Sequence, residues 1–246
     1  MPLSYTKSKV LSNKHIVDNI YLMEVELDSN VKAGQFYMLR GWGIEPILPR
    51  PISINDYKKG VISFLYMVVG SGTEHLKNLK ENDKIELLGP LGNGFPIEKL
   101  TGKVAVVAGG IGIAPFLHTA KQLNAEKIDV YCGFRDNIYG IDELKTIASE
   151  VIVATDSGKE GHKGLVIDLF DPKKYDAVLT CGPEIMMKKV AKMCEEENVD
   201  CYVSMENHMA CGIGACLVCT CKTKNGNKRA CKEGPVFLSR DVIFDE

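Results

Sequence analysis

Over the first third of the chain, apolar residues come in short runs broken by turn chemistry. Ile20 to Leu27, Gln35 to Leu39, Val61 to Val69 and Lys84 to Leu88 carry the β-branched and aromatic residues typical of strands. Asp56 to Gly60 and Glu81 to Asp83 are polar and contain the Gly and Asp residues of turns. This spacing predicts a small antiparallel barrel. After the Gly-rich segment Gly89-Pro90-Leu91-Gly92-Asn93-Gly94 the rhythm changes. Val104 to Ala108, Asp129 to Cys132, Val151 to Ala154 and Ala177 to Cys181 are apolar without alternation, and amphipathic stretches such as Phe116 to Ala125 and Glu184 to Glu196 separate them. Buried parallel strands covered by helices have this pattern, so an open parallel α/β sheet is predicted. From Cys201 onward apolar periodicity fades, and about 35 residues cannot readily form an independent core without a staple. The fold class expected is therefore a multi-domain α+β chain: an antiparallel β-barrel domain over 1–99, an open parallel α/β domain over 100–203 and a small C-terminal domain over 204–246.

Composition narrows the function classes. A chain of 246 residues with 45% hydrophobic and 25% charged residues has the make-up of an ordinary globular protein with room for two cores. The formal net charge of -2 argues against nucleic acid as a partner, because a phosphate-binding face normally leaves a basic excess. No membrane segment is expected, since the apolar stretch Val104 to Leu117 is interrupted by Gly109, Gly110, Gly112 and Pro115 and falls short of the roughly 20 residues a span requires. Met1 to Val10 has no apolar leader region, so a cytoplasmic protein is expected. Nine cysteines are many for a reducing compartment, and an odd number does not suit a closed disulfide framework. Metal or redox chemistry becomes the leading explanation.

Five of those cysteines lie between Cys211 and Cys231. Cys211, Cys216 and Cys219 have the C-x4-C-x2-C spacing of plant-type [2Fe-2S] sites, and Cys231 supplies a fourth thiolate from farther along. Gly212, Gly214 and Ala215 suit a loop that wraps a cluster closely. Structural zinc also accepts four thiolates, although its ligands more often come as paired C-x2-C units. Cys221 is a spare thiol beside the loop that is able to replace one of the four, whereas Cys194 and Cys201 read as small buried residues.

Three further segments carry chemistry. Arg50-Pro51-Ile52-Ser53 lies in an extended run, where Arg50 is either a site residue or a solvated charge. Met67-Val68-Val69-Gly70-Ser71-Gly72-Thr73 runs from a strand into a turn and a predicted helix over Thr73 to Leu79; its N–H groups suit a phosphate, and Ser71 or Thr73 alternatively serves as a plain cap. In Val104 to Pro115 a buried strand meets Gly109, Gly110 and Gly112 before a helix with Pro near its first turn, the setting in which a dinucleotide pyrophosphate rests on a helix start. The pattern is not G-x-G-x-x-G, so an ordinary Rossmann dehydrogenase is not indicated. Cys181-Gly182-Pro183 closes another strand, with Cys181 either facing the site or packing. Asp156, at a strand end, disfavours a nucleotide 2′-phosphate by charge repulsion, while Arg135 argues the other way.

Arg50-Pro51-Ile52-Ser53 resembles the R-x-[YF]-[ST] flavin motif of the ferredoxin-reductase superfamily, with Ile52 departing from the aromatic form, and Gly109 to Pro115 and Cys181 to Met186 resemble its G-G-x-G-x-[AT]-P and C-G-P-x-x-M elements. Taken in order with the cysteine loop and Cys231-Lys-Glu-Gly-Pro-Val-Phe237, the chain resembles, over most of its length, the electron-transfer subunit of NAD-linked (type B) dihydroorotate dehydrogenase. That resemblance implies an FAD barrel, a nicotinamide domain and a [2Fe-2S] domain. It implies FAD contacts from Arg50, Pro51, Ile52, Ser53, Met67, Val68, Val69, Gly72 and Thr73, and NAD contacts from Gly109, Gly110, Gly112, Asp156, Cys181 and Gly182. Ser53 and Cys181 would stand at the hydride-transfer site, with Cys211, Cys216, Cys219 and Cys231 as metal ligands. The partner implied is an FMN-containing catalytic subunit, in an A2B2 heterotetramer that oxidises dihydroorotate in pyrimidine biosynthesis. A catalytic TIM barrel needs about 250 residues by itself, so the pyrimidine must bind elsewhere. Competing expectations are a reductase subunit serving a sulfide dehydrogenase, a hydrogenase or a ferredoxin-linked complex, and a zinc-stapled binding or regulatory protein.

Overall fold

A computed structural model of the chain describes residues 4–244. The first region holds strands β1 (Ser4–Val17), β2 (Ile20–Glu26), β3 (Phe36–Arg40), β4 (Arg50–Ser53), β5 (Asp56–Lys58) and β6 (Val61–Met67), helix α1 (Ser71–Lys77) and strand β7 (Lys84–Leu91). They form one antiparallel sheet in the order β4-β3-β7-β1-β2-β6-β5. Its edges, β4 and β5, are separated in the chain by Ile54 and Asn55 alone. Ile54 N–H donates to Gln35 O and Asn55 N–H to Ser63 O, so each ladder continues into the linker and the sheet closes on itself as the expected barrel. The lumen is filled by Tyr37, Leu39, Phe64, Tyr66, Ile62 and Leu76.

Strand β1 is absent from the sequence-based expectation. Of its fourteen residues only Val10 is fully buried, so the period-2 signal that marks the other strands has little to show. Its neighbours β7 and β2 supply the pairing instead.

The second region contains β8 (Lys103–Gly109), α2 (Phe116–Gln122), β9 (Lys127–Phe134), β10 (Glu150–Thr155), β11 (His162–Lys163), β12 (Ala177–Cys181), α3 (Glu184–Glu196) and β13 (Asp200–Ser204). These strands are parallel and lie in the order β11-β10-β9-β8-β12-β13. Core runs such as Val104–Val107 and Val178–Leu179 are almost fully shielded, in keeping with a sheet covered on both faces.

The cysteine region adds β14 (Thr220–Cys221), β15 (Lys228–Arg229) and β16 (Val236–Leu238). The first two make a small hairpin, while β16 pairs antiparallel with β13 and becomes an edge of the parallel sheet. Cys219, Cys221, Ala230 and Cys231 join one apolar cluster with Phe36, Met38 and Leu91 of the barrel and Val203 of the sheet. The short C-terminal segment thus borrows its core from both larger regions.

Barrel and sheet also meet directly. Phe95 and Phe116, both buried, lie with ring centroids 5.6 Å apart, a contact worth about 0.5–1.5 kcal/mol beyond its area. Lys121 of α2 pairs with Asp56 of β5 at 2.6 Å and with Glu143 at 3.0 Å. Among the described residues no helix is long and apolar enough to cross a membrane.

Candidate functional site

Strand β4 pairs with β3 in the register Leu39↔Arg50, Met38↔Pro51, Tyr37↔Ile52 and Phe36↔Ser53. Pro51 is tolerated because β4 is the last strand of its ladder and needs no second partner for the missing N–H. Arg50 Nη1 donates to Leu48 O at 2.5 Å, and its guanidinium carbon lies 5.7 Å from the centre of the Trp42 ring. A Cβ on Gly72 would stand 2.3 Å from Arg50 Nε. The guanidinium therefore lies directly on the first turn of α1, and glycine is what permits this. Thr73 caps that turn: its hydroxyl accepts from the N–H groups of Val69 and Gly70 at 2.9 and 3.1 Å and donates to Gly70 O. Thr73 restrains the turn while the Arg50 guanidinium sits beside N–H groups that lack partners within the helix. Val68 N–H donates to Asn19 O, Val69 is exposed, and Ser53 is half-buried at the end of β4.

The chain runs outward from β8 through β9, β10 and β11, then returns to place β12 on the other side of β8. In open α/β sheets this reversal leaves a crevice at the carboxyl ends of the two central strands. Those ends carry Gly109 and Cys181. Their loops touch backbone to backbone: a Cβ on Gly112 would stand 2.3 Å from Cys181 O, and one on Gly182 2.8 Å from Gly109 N. Gly110 and Gly182 have φ of +53° and +146°. A cleft of about 710 Å³ opens there, walled by Gly109 to Gly112, Gly182, Pro183 and the barrel residues Ile20 and Met67.

Cys181 is half-buried one residue before that wall. Burial first, and the carboxylate of Glu206 second, push its thiol up to about 12, against a hydrogen bond from Ser204 that pulls it down. At neutral pH it is a neutral thiol, suited to packing and unsuited to nucleophilic attack. Asp156 is exposed, and its N–H donates to Phe134 O and Arg135 O at 3.2 and 2.9 Å, which fixes it beside the cleft-lining Phe134 and Arg135. Sequence reasoning missed Asp18, Asn137, Met205 and Glu206, all of which line the cleft. Asn137 Nδ2 donates to Asp18 Oδ2 at 2.9 Å, joining barrel to sheet across its mouth. Met205 and Glu206 follow directly on β13, and the rule that ligands lie beyond the carboxyl ends of parallel strands would have found them.

The cysteine loop turns on Gly212 and Gly214, with φ of +70° and +82°, and on Leu217 with φ of +62°. A Cβ on Gly212 would stand 2.7 Å from Met38 Cγ, so the loop is seated against the barrel strand that pairs with β4. The N–H groups of Ala215 and Cys216 point at Cys211 Sγ, at 3.3 and 3.4 Å. Partial burial pushes the Cys211 thiol up, but hydrogen bonds from the backbone at Cys216, Ile213 and Ala215 and from the Cys216 thiol outweigh it and bring the group down to about 6. Cys231 is pushed up to about 12, by burial first and then by the neighbouring Cys219. Its N–H donates to Cys219 Sγ at 3.4 Å.

Cys211 with Cys216 and Cys219 with Cys231 therefore stand as two thiol pairs. Among the described residues no three His, Cys, Asp or Glu side chains converge on one ion-sized point. Two and two is the arrangement a two-iron cluster takes, each iron holding a pair. The donor set fits the cluster. Cys221, buried, receives Asn207 Nδ2 at 3.3 Å and lies outside both pairs. Cys216 is exposed, and Ile213, Leu217 and Val218 around it are 47%, 61% and 53% exposed.

Known proteins agree with this architecture. Residues 206–243 match the iron-sulfur cluster binding domain of dihydroorotate dehydrogenase B. The chain is 53% identical to the dihydroorotate dehydrogenase B (NAD(+)) electron transfer subunit of Clostridium acetobutylicum, over 100% of both chains. It is 50% identical to that of Clostridium perfringens, over 99% of this chain and 100% of the relative. Among solved structures, a chain of the NADH-dependent reduced ferredoxin-NADP oxidoreductase superposes with a TM-score of 0.88 at 30% identity, covering 97% of this chain and 90% of that one. A ferredoxin NADP+ reductase from Neisseria gonorrhoeae, with bound FAD and NADP, shares the fold at a TM-score of 0.62 and 16% identity, over 78% and 91% of the two chains. With relatives of this identity aligned end to end, the chain belongs to the family of dihydroorotate dehydrogenase B (NAD(+)) electron transfer subunits.

Proposed function

We propose that this chain carries electrons from a dihydroorotate-oxidising partner to NAD+, with one [2Fe-2S] cluster and one FAD as resident carriers. The observation that carries the reading is the position of the barrel between the other two sites. The cysteine loop rests on Met38, whose register partner is Pro51 of the Arg50 strand, while Ile20 and Met67 of the same barrel wall the cleft at Gly109 to Gly112. That order supports a path from cluster to flavin to nicotinamide. Bound flavin supplies the exchange between single electrons and a hydride, which neither neighbouring carrier provides alone.

The chain's own residues divide the work. Arg50, with the first turn of α1 at Gly72 and Thr73, holds the FAD pyrophosphate, and Pro51, Ile52, Ser53, Met67, Val68 and Val69 complete the flavin's walls. Gly109, Gly110, Gly112 and Gly182 admit the NAD backbone because any Cβ there collides with a neighbouring loop or strains a positive φ. Cys181, kept neutral by burial, packs at the nicotinamide side of the hydride-transfer site, and the Ser53 hydroxyl serves its flavin side. Asp156 repels a 2′-phosphate and favours NAD. Cys211, Cys216, Cys219 and Cys231 hold the cluster. The unit divides as a flavin barrel over 1–99, a nicotinamide domain over 100–203 and a cluster domain over 204–246.

The partner is an FMN-containing catalytic subunit, two of each chain forming the complex. Exposed Ile213, Leu217 and Val218 beside Cys216 form its docking face, an apolar patch where electrons enter. The test is co-expression with the catalytic subunit, followed by anaerobic assay. The purified complex is expected to reduce NAD+ with dihydroorotate. Failure to do so, with both carriers present, overturns the reading. The likeness to the ferredoxin-linked reductase favours one second reading, in which the electrons come from ferredoxin; NAD+ reduction by reduced ferredoxin but not by dihydroorotate would establish it.

A further inference from the structure

Two charged side chains brace the cysteine loop from outside its thiols. Arg229 ends β15, and its Nη1 donates to Gly214 O at 2.8 Å, between Cys211 and Cys216 in the chain. Glu233 holds the guanidinium: its Oε2 accepts from Arg229 Nε at 2.9 Å and from the Arg229 backbone N–H at 2.8 Å, and its Oε1 pairs with Nη2. The stretch bearing Glu233 is anchored to the barrel. Asn93 Nδ2 donates to the carbonyls of Lys232 and Glu233 at 3.1 and 3.3 Å, and Asn93 N–H donates to Gly234 O at 2.6 Å. Arg229 and Glu233 retain 29% side-chain exposure each, so solvent screens this pair less than a fully exposed one. Lys232 also lays its stem on Gly214, but it is exposed and its charge is the more strongly screened.

We propose that Arg229 and Glu233 are opposed positioning residues that set the reduction potential of the cluster. The inference rests on the ligand assignment above and goes beyond it. Four thiolates make the site anionic, and one-electron reduction adds a further negative charge. A guanidinium bonded to the ligand loop stabilises the reduced form, while the carboxylate that neutralises it works against that form. Net charge and hydrogen bonding are among the properties that tune such clusters. A purely mechanical brace behaves differently, because breaking it from either end loosens the same loop and moves the potential the same way.

The experiment is a redox titration of the purified complex, followed by the electron paramagnetic resonance signal of the reduced cluster, with iron content measured in parallel. Arg229→Gln is expected to retain iron and to lower the reduced-to-oxidised ratio roughly tenfold at fixed ambient potential, about 59 mV for one electron. Glu233→Gln is expected to move the ratio in the opposite direction, and Arg229→Lys to stay near the parent value. Shifts of the same sign in Arg229→Gln and Glu233→Gln, or no shift in either, overturn the proposal. If Arg229→Gln loses its iron, Glu233→Gln decides: a more positive potential supports the lever, and an unchanged or more negative one refutes it. Absence of iron from the parent protein would instead refute the ligand assignment.

Discussion

The nicotinamide cleft and the cysteine loop both depend on glycine, but only the first is made by the fold around it. At the cleft, Gly112 and Gly182 are forced by backbone passing backbone at the reversal point of a seven-stranded sheet. The cysteine loop belongs to neither large sheet and leans from outside on Met38 and Leu91 of the barrel and on the Arg229 brace. The cleft is therefore built before any ligand arrives, whereas the loop owes much of its order to whatever joins its thiols. Small segments without a core of their own commonly depend on such a staple.

The largest effect is expected at the thiols. Cys216→Ser is expected to abolish the cluster's visible absorption and iron content while FAD stays bound, because Cys216 is exposed and contributes nothing to the core. Retained iron would refute that ligand. At the cleft, Gly112→Ala is expected to cost about 1–3 kcal/mol of stability through overpacking, and to weaken NADH binding more than it weakens FAD binding. Calorimetry and a fluorescence titration check both, and an unchanged melting temperature would mean that the loops part freely. Arg50→Ala removes a charge-assisted anchor worth about 1.5–3 kcal/mol, so FAD should wash off during gel filtration at dilutions where the parent retains it. Asp156→Ser should raise NADPH use relative to NADH by roughly tenfold, the scale of one exposed charge at close range, as read from the two kcat/KM values.

The smallest effect is on pH. Burial pushes the thiols of Cys132 and Cys181 up to about 12 from an ordinary value of 9.0. The folded state therefore binds more protons than the unfolded chain between those values, so stability falls as pH rises through that window and is unaffected below it. Denaturant midpoints should hold level up to pH 8 and decline above pH 9, and Cys132→Ala should flatten the decline. A midpoint that rises above pH 9 would contradict the sign.

Legibility in the sequence followed the same divide. Val104–Ala108 and Ala177–Cys181 were readable because strands buried on both faces cannot afford polar positions. The glycine and cysteine motifs were readable because close approach and ligation leave few alternatives. Strand β1 was not, since thirteen of its residues are partly or fully exposed and their pairing is decided by β7 and β2. Nor was β16, three residues whose place depends on β13 being open to take an edge partner. Asp18 and Asn137 lie far apart in sequence and meet only when barrel and sheet dock. Cys221 shows the limit from the other side: spacing allowed it as a substitute ligand, and burial beside Asn207 sets it apart from the two pairs.

If one chain holds a flavin and a cluster in electronic contact with a nicotinamide site, NADH must reduce both. An anaerobic titration of the purified chain with NADH, recording flavin absorbance and the low-temperature paramagnetic signal together, tests it most directly. Bleaching of the flavin is expected together with growth of a one-electron [2Fe-2S] signal. A bleached flavin with a silent, iron-loaded cluster, or a chain that binds neither group, would contradict it.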